Sequence, residues 1–248
     1  MYAVETRALQ KDFAGFRAVD GVHLRLEAGR VHALVGPNGA GKTSLFNLLT
    51  GFLRPTSGQV LLFGEDVTGQ RPDQIAKRGV ARSFQITSLF EELTAIEHVA
   101  LALQSRTTLG YGFWRDDAAL RRFDEPARAL LGQVGLSELA ERPARQLPYG
   151  QKRALELALA LALEPRLLLL DEPTAGMSAE DVQRTIALVA RLREGRTIVL
   201  VEHNMGVVGE LAENVVVLQQ GKVIAEGPYD AVRTDPAVVA AYLGHVDA

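Results

Sequence analysis

Residues 36–44 place glycines, one lysine and two hydroxyl side chains in one short segment, Gly-Pro-Asn-Gly-Ala-Gly-Lys-Thr-Ser. The spacing fits G-x-x-x-x-G-K-[ST], in which the glycines let backbone N–H groups close around phosphate oxygens. Lys42 can reach the β- and γ-phosphates of a nucleotide, and the Thr43 hydroxyl can ligate Mg²⁺. The predicted phosphate site comprises Gly36, Asn38, Gly39, Ala40, Gly41, Lys42, Thr43 and Ser44.

The segments on either side of this loop have the character that a phosphate site needs. Residues 31–35 read as a short buried strand, and residues 44–50 read as the start of a helix. A helix N-terminus adds the positive end of a dipole to the surrounding N–H groups. This context favours a nucleotide cradle over a glycine-rich turn that meets the pattern by chance.

A second group of candidate residues follows the apolar run Leu167–Leu170. Such a run predicts a strand buried on both faces, and ligands of open α/β sheets bind at the carboxyl ends of the strands. Asp171 can hold the Mg²⁺ that bridges the phosphates, and Glu172 can polarise an attacking water. The alternative is a surface Asp-Glu pair that only ends a strand.

Two further residues are candidates because of their positions. His203 follows the predicted strand 197–201, whose end should neighbour Asp171, so it can contact the γ-phosphate or the attacking water; alternatively it only starts the next helix. The amide of Gln85 can bind Mg²⁺ or the water through its carbonyl oxygen. Glutamine is otherwise an ordinary polar surface residue.

The segment Leu147–Gln151 precedes a predicted helix that runs to Leu163. Gly150 beside that helix N-terminus makes a second anion-binding end. Since the chain already has one phosphate site, this end makes more sense if it serves a neighbouring molecule. A turn with a helix cap is the alternative.

The bulk composition excludes several classes of protein. The chain has 248 residues, 47% hydrophobic and 23% charged, a net charge of −3 and no cysteine. The missing basic excess argues against nucleic acid as a partner, and the missing thiols exclude disulfides and point to a reducing cytosol. The N-terminus does not resemble a signal peptide, and the most apolar run is too short to span a bilayer. Any membrane role is expected to come through a partner.

Strand signals alternate with helical ones along most of the chain, which predicts an α/β fold. We expect a P-loop NTPase core with a mostly parallel sheet and an N-terminal antiparallel β edge. Between residues 93 and 146 the strand signals vanish, and Thr94 with Glu97 forms a capping-box pattern. The predicted domains are therefore a RecA-like nucleotide-binding core with antiparallel β strands, residues 1–92 and 147–248, and an inserted helical subdomain, residues 93–146.

Taken together, these motifs resemble the nucleotide-binding subunit of ATP-binding cassette (ABC) transporters over nearly the whole chain. The loop before Lys42 is similar to the Walker A motif, and the strand ending at Asp171 is similar to Walker B. By the same resemblance Glu172 is the catalytic glutamate, Gln85 belongs to the Q-loop and His203 is the switch histidine. The resemblance also implies ATP contacts by Phe13, Val19, Tyr149, Gly150 and Gln151, in addition to the phosphate loop.

Three residues depart from the usual family pattern. Pro148 and Tyr149 replace Ser and Gly of the Leu-Ser-Gly-Gly-Gln signature, and Ser178 stands where many members have Asp. The serine hydroxyl that would contact a partner's ATP is therefore missing. We expect these changes to leave ATP binding intact, and the sequence does not give their effect on communication across a dimer.

The segments 81–87, 113–115 and 226–244 resemble the ATPases of branched-chain amino acid importers. Importers of urea or short amides and the lipopolysaccharide-export ATPase are similar alternatives. The resemblance implies ATP and Mg²⁺ as cofactors, a second ATPase chain, permease subunits, an indirectly acting solute-binding protein, and a peripheral position on the cytoplasmic face of the inner membrane. We expect the permease to dock on an apolar cluster formed by Phe84, Ile86, Leu89 and Phe90.

Two other functional classes share parts of this pattern. A soluble regulatory or DNA-associated ATPase is disfavoured by the missing basic face and the missing heptad arms. A P-loop kinase is disfavoured by Glu172 directly after Asp171 and by the second anion-binding end at Gly150.

Overall fold

The computed structural model describes residues 1–83, 89–106 and 122–243, and these residues form ten strands in two sheets. Alternating apolar and polar residues build the exposed strands, whereas the interior strands are apolar throughout. The strands are β1 Tyr2–Phe13, β2 Phe16–Glu27, β3 Val31–Val35, β4 Ser57–Leu62, β5 Glu65–Asp66, β6 Val80–Arg82, β7 Leu167–Asp171, β8 Thr197–Val201, β9 Asn214–Gln219 and β10 Lys222–Gly227.

The central sheet has six strands in the order β10-β9-β3-β8-β7-β6. Every neighbouring pair from β9 to β6 is parallel, and β10 joins β9 as an antiparallel hairpin. Gln220 and Gly221 form the hairpin turn with φ of +47° and +79°, the positive values that a tight two-residue turn needs. The predicted, mostly parallel core is confirmed.

The predicted antiparallel strands are present, but they form a sheet of their own, in the order β2-β1-β4-β5. Strand β2 buries Val22, Leu24 and Leu26 and exposes His23 and Arg25 between them, as the alternating pattern predicts. Strands from about the first quarter of the chain therefore form a second β layer that packs on one face of the central sheet.

Nine α-helices are described. No helix in the described ranges is long and apolar enough to cross a membrane. The helices are α1 Lys42–Leu49, α2 Pro72–Ala76, α3 Ala95–Ser105, α4 Asp124–Gln133, α5 Tyr149–Ala162, α6 Ala179–Leu192, α7 Met205–Leu211, α8 Tyr229–Val232 and α9 Pro236–Leu243.

Strand β7 lies in the middle of the hydrophobic core and is buried on both faces. Leu168 and Leu170 pack with helices α5 and α6, whereas Leu167 and Leu169 pack with α1 and the antiparallel sheet. Because successive side chains of a strand point to opposite faces, one apolar run joins both layers. Asp171, which ends this strand, is thereby fixed at the carboxyl edge of the sheet.

Helices α3 and α4 pack on α5, in the region predicted as an inserted subdomain. The predicted capping box is confirmed, since Thr94 Oγ1 accepts a hydrogen bond from Glu97 N and Glu97 Oε2 accepts one from Thr94 N. The chain enters and leaves this region side by side, because Ala144 N donates to Leu93 O at 2.9 Å. Residues 107–121 of this region, which include the segment 113–115 used in the family resemblance, lie outside the described residues.

Candidate active site

The loop between β3 and α1 has the backbone that the glycine pattern predicts. Gly36, Gly39 and Gly41 have φ of +148°, +77° and +101°. A Cβ on Gly36 would lie 2.1 Å from Leu218 O, and a Cβ on Gly41 would lie 2.3 Å from Ala18 O. Positive φ and close backbone approach both require glycine at Gly36 and Gly41, so the backbones of strands β9 and β2 shape the loop.

Lys42, the first residue of α1, is buried beneath this loop. Its Nζ donates hydrogen bonds to Gly36 O at 2.7 Å and to Pro37 O at 3.0 Å. Burial lowers the pKa of Lys42, while the negative charges of Glu172 and Asp171 act in the opposite direction and raise it. The ammonium group therefore lies within the electrostatic reach of both candidate carboxylates.

The other residues of the predicted phosphate site surround this lysine. Asn38, Gly39 and Thr43 are exposed at the surface of the loop, whereas Ala40 is buried and Ser44 is partly buried. Asn38, Gly39 and Thr43 thus present only part of the predicted phosphate and metal site to solvent.

Asp171 is only 1% exposed, and its Oδ2 accepts a hydrogen bond from Arg82 Nη2 at 2.6 Å. Its Oδ1 is buried and has no hydrogen-bond partner among the described residues. An unpaired, buried carboxylate oxygen is an expensive group unless it meets a cation or a donor. Together with the exposed Thr43 hydroxyl, this oxygen fits the oxygen-rich ligand set that Mg²⁺ prefers.

Glu172 and His203 are in direct contact at the ends of neighbouring strands. His203 Nε2 lies 3.0 Å from Glu172 Oε1, and both side chains are partly open to solvent. Strands β7 and β8 are paired in parallel with Asp171 opposite Val201, so the residues that follow them come together. Glu172 has φ of +47°, an unfavourable value for a non-glycine residue that is typical of functional sites.

Glu202, which the sequence interpretation did not single out, is buried beside this pair. Its side chain is 3% exposed, and its two oxygens bind groups on the loops after β7 and after β8. The signal was available, because a carboxylate directly after an all-apolar strand is the pattern that identified Asp171. Arg82 was missed because it precedes Asp171 by 89 positions, and no local pattern links two residues so far apart in the chain.

The N-terminus of α5 is the predicted second anion-binding end. Pro148 is its N-cap and contributes no side-chain hydrogen bond, and Tyr149 beside it is exposed. A Cβ on Gly150 would lie 2.9 Å from Asp181 Cγ, so this glycine allows the start of α6 to approach closely. Ser178 accepts a hydrogen bond from Asp181 N and caps α6, which gives this departure from the family pattern a local role.

The remaining predicted ATP contacts are spread around the loop. The Phe13 ring is partly exposed, with Lys11 Nζ 5.0 Å from its centroid. Val19 has no exposed surface and lies in the same hydrophobic cluster as Ala40 and Leu45. Gln151 is partly buried on the first turn of α5. Gln85 lies outside the described residues.

The predicted docking cluster is described only in part, since Phe84 and Ile86 also fall outside the described residues. Leu89 is partly buried and packs against the core. Phe90 is 67% exposed, and its backbone N donates to His98 Nε2 at 2.9 Å. Of the two described members, Phe90 therefore exposes more apolar surface than Leu89.

Comparison with known protein families matches the part of the chain that contains most of these candidate site residues. The family model described as "ABC transporter" matches residues 19–175, which contain the phosphate loop, Asp171 and Glu172. The chain belongs to the ABC transporter ATP-binding family. A second model, described as "Branched-chain amino acid ATP-binding cassette transporter", matches residues 222–248 at the C-terminal end of this ABC ATPase.

Individual ABC proteins are similar over almost the full chain. The high-affinity branched-chain amino acid transport ATP-binding protein BraF of Pseudomonas aeruginosa is 40% identical, over 97% of both chains. The ADP conformation of MJ1267, an ATP-binding cassette of an ABC transporter, superposes with a TM-score of 0.86 at 30% identity, over 98% of this chain and 99% of that one. The dimeric, post-hydrolysis cassette MJ0796 bound to ADP and Pi superposes with a TM-score of 0.76 at 25% identity, over 91% and 98% of the two chains.

These similarities explain why the separate motifs of the ABC ATPase meet at one edge of the sheet. The cassette MJ1267 superposes over 98% of this chain, so the sheet edge that carries Asp171 and His203 belongs to a fold already known in solved ATP-binding cassettes. ATP binding and transport-coupled ATP hydrolysis follow from membership of this family.

Proposed function

We propose that this ABC ATPase powers the import of branched-chain amino acids from the cytoplasmic face of the inner membrane. The substrate class is supported by the 40% identity to BraF and by the branched-chain amino acid model at residues 222–248. The chain acts with permease subunits, because a peripheral ATPase needs a membrane partner to move a solute. A solute-binding protein outside the membrane delivers the amino acid to that permease.

The phosphate loop binds the triphosphate of ATP through its backbone N–H groups and through Lys42. The glycines at 36 and 41 bring these groups close, and the start of α1 adds its dipole. The exposed face of Phe13 stacks on the adenine. Lys42→Ala should cost several kcal/mol of phosphate and transition-state interaction, since the contact is charge-assisted in a preorganised site.

The residues around Asp171 fit a Mg²⁺ ion. Asp171, Thr43 and Gln85 would hold it, and it would neutralise charge that develops on the β- and γ-phosphates. The unpaired Oδ1 of Asp171 supports this assignment, because that oxygen has no other described partner.

Glu172 orients and polarises the water that attacks the γ-phosphate. The carboxylate accepts the water's hydrogen bond and turns its oxygen lone pair towards phosphorus. His203, 3.0 Å away, holds the Glu172 side chain in place and contacts the γ-phosphate oxygens. In this way two residues from separate strand ends share one task.

The complete hydrolytic site is formed by two chains. Each ATP lies between the phosphate loop of one chain and Tyr149, Gly150 and Gln151 of a second, related or identical chain. The uncapped N-terminus of α5 and the dimeric state of MJ0796 support this arrangement.

The inserted subdomain, residues 93–146, transmits the closure of the two chains to the permease, while residues 1–92 and 147–248 bind nucleotide. Closure and reopening follow from the differential affinity of ATP for the two conformations.

The contact between Glu172 and His203 is the single observation that carries the hydrolytic part of this proposal. We expect Glu172→Gln to bind ATP with wild-type affinity, to hydrolyse it at least about a hundredfold more slowly, and to accumulate as a closed dimer. Nucleotide binding, phosphate release and sedimentation of the purified chain measure the three properties. Wild-type phosphate release by this variant would remove Glu172 from the mechanism.

The substrate class has its own experiment. Deleting the gene in its host should abolish energised uptake of labelled leucine, isoleucine and valine, and wild-type protein but not Glu172→Gln should restore it. Loss of urea or amide uptake instead would assign the chain to the related importers. A defect in lipopolysaccharide export would assign it to the export system, and no transport defect would favour a soluble regulatory ATPase.

A further inference from the structure

Glu202 is a buried carboxylate with four hydrogen-bond donors directed at it. Its Oε1 accepts from Thr174 Oγ1 at 2.6 Å and from Thr174 N at 3.1 Å. Its Oε2 accepts from His203 N at 3.1 Å and from Asn204 N at 3.4 Å. Each oxygen therefore serves one loop, and the side chain joins the two loops that follow β7 and β8.

The groups that Glu202 binds flank the proposed hydrolytic pair. Thr174 lies two residues after Glu172, and His203 is the next residue along the chain from Glu202. Glu172 N also donates to Val201 O at 2.9 Å, and its side chain contacts His203. Backbone and side-chain bonds thus close a ring that passes through Glu172, His203, Glu202 and Thr174.

We propose that Glu202 is a positioning residue that fixes the distance and orientation between Glu172 and His203 by joining their two loops. The inference rests on the hydrolytic roles in the proposed function. Glu202 has too little exposed surface to touch the nucleotide, so it acts through its neighbours. Only a carboxylate satisfies this site, because all four surrounding groups are donors and a glutamine would turn its NH₂ towards two of them.

Thr174 belongs to the same unit and gives an independent way to weaken it. Its hydroxyl makes the shortest of the four bonds, and its backbone N–H would remain bonded to Glu202 after substitution by valine. The loop that leads from Thr174 to the cap of α6 at Ser178 is thereby tied to His203. A displacement of that loop is expected to move His203 with it.

The test compares ATP hydrolysis by the purified full chain and four variants. Glu202→Gln is expected to lower kcat about tenfold and Thr174→Val about threefold, with the KM for ATP within about twofold of wild type. Thr6→Val is the matched control, because Thr6 and Thr174 are both buried, 2% and 6% exposed, but Thr6 lies in the antiparallel sheet and bonds Val22 O. It should lower the unfolding temperature without changing kcat. His203→Ala reports on the proposed function itself.

A second readout follows the imidazole directly. In the nucleotide-free, ¹⁵N-histidine-labelled chain, the His203 ring resonances, assigned from the His203→Ala spectrum, should shift in Glu202→Gln and Thr174→Val but not in Thr6→Val. If Glu202→Gln does not fold, Thr174→Val decides the question by both measurements.

The outcomes separate failure of the inference from failure of the proposed function. If His203→Ala hydrolyses ATP at the wild-type rate, the proposed role of His203 is wrong and the inference is overturned with it. If His203→Ala is slow but Glu202→Gln and Thr174→Val keep the wild-type kcat, or change only KM, the inference alone is overturned. Loss of kcat in Thr6→Val equal to that in Thr174→Val would also overturn it, since general destabilisation would then explain both.

Discussion

Arg82 and Asp171 form a buried ion pair between neighbouring strands of the central sheet, with 2.6 Å between Arg82 Nη2 and Asp171 Oδ2. The other guanidinium nitrogen, Nη1, donates to Asn47 Oδ1 at 2.6 Å, which ties the pair to the helix that starts at Lys42. The cation lies over the rings of Phe46 and Phe52. One arginine therefore connects the proposed metal ligand with the element that carries the phosphate loop.

Removing Arg82 should destabilise the fold, because Asp171 would keep a buried charge without its partner. For Arg82→Met we expect a loss of about 3 kcal/mol in the free energy of unfolding, and MgATP should restore part of it. Urea unfolding with and without MgATP measures both effects. Arg78→Met is the control, since Arg78 pairs with the exposed Glu65 and should cost less than about 1 kcal/mol. Equal losses in the two variants would contradict the role assigned to the buried pair.

Lys42 should stabilise bound phosphate at the expense of the nucleotide-free fold. Burial lowers its pKa below the ordinary 10.5, against the opposing effects of Glu172 and Asp171. The folded state thus releases the proton first, so stability rises with pH between the lowered pKa and 10.5 and is lost as pH falls through that window. Lys42→Met should abolish ATP binding while keeping or raising the unfolding temperature at pH about 7, a trade-off common at functional sites.

The pH dependence of the same variant provides its check. The stability advantage of Lys42→Met over wild type should shrink as the pH approaches the ordinary lysine value, because wild-type Lys42 then becomes neutral when folded. Thermal unfolding of both proteins from neutral to alkaline pH measures this difference. If the difference in unfolding temperature between the two proteins stays constant with pH, the buried charge of Lys42 does not destabilise the wild-type fold.

Two glycines of the phosphate loop should respond differently to alanine. A Cβ on Gly39 meets nothing within 4 Å, so Gly39→Ala should cost only the positive-φ strain of about 1–2 kcal/mol. A Cβ on Gly41 would overlap Ala18 O, so Gly41→Ala should cost more and should also displace the loop and weaken ATP binding at least about tenfold. Urea unfolding and nucleotide titration of the two variants test this order, which a reversed ranking would refute.

Phe90 should be more informative about the permease than Leu89, the other described member of the expected docking cluster. Leu89 packs partly against the core, so its substitution should also lower stability. Phe90→Ser should leave stability and basal ATP hydrolysis within about twofold of wild type and reduce amino acid uptake several-fold. The control for uptake is Leu101→Ser, because Leu101 is also an exposed apolar residue but lies on α3. Equal uptake by the Phe90 and Leu101 variants would exclude Phe90 from the docking surface.

Much of the fold was predictable, because its signals are local. Short apolar runs marked β3, β7 and β8, and the Thr94 capping box marked the start of α3. Strand β6 was missed because three residues carry no periodicity, although it forms the edge of the central sheet. The separate antiparallel sheet was also not anticipated, since pairing β1 with both β2 and β4 depends on contacts distant in sequence.

Local patterns identify which chemical groups the site contains, because glycines before Lys42 and a carboxylate after an apolar strand act through local backbone geometry. Which of these groups meet depends on the packing of the whole chain. The order and register of β6, β7 and β8 bring Arg82 to Asp171 and His203 to Glu172, and they turn Glu202 inward to Thr174. These partners are 28 to 89 positions apart in the chain, so their distances depend on how the sheet pairs and packs rather than on any local pattern.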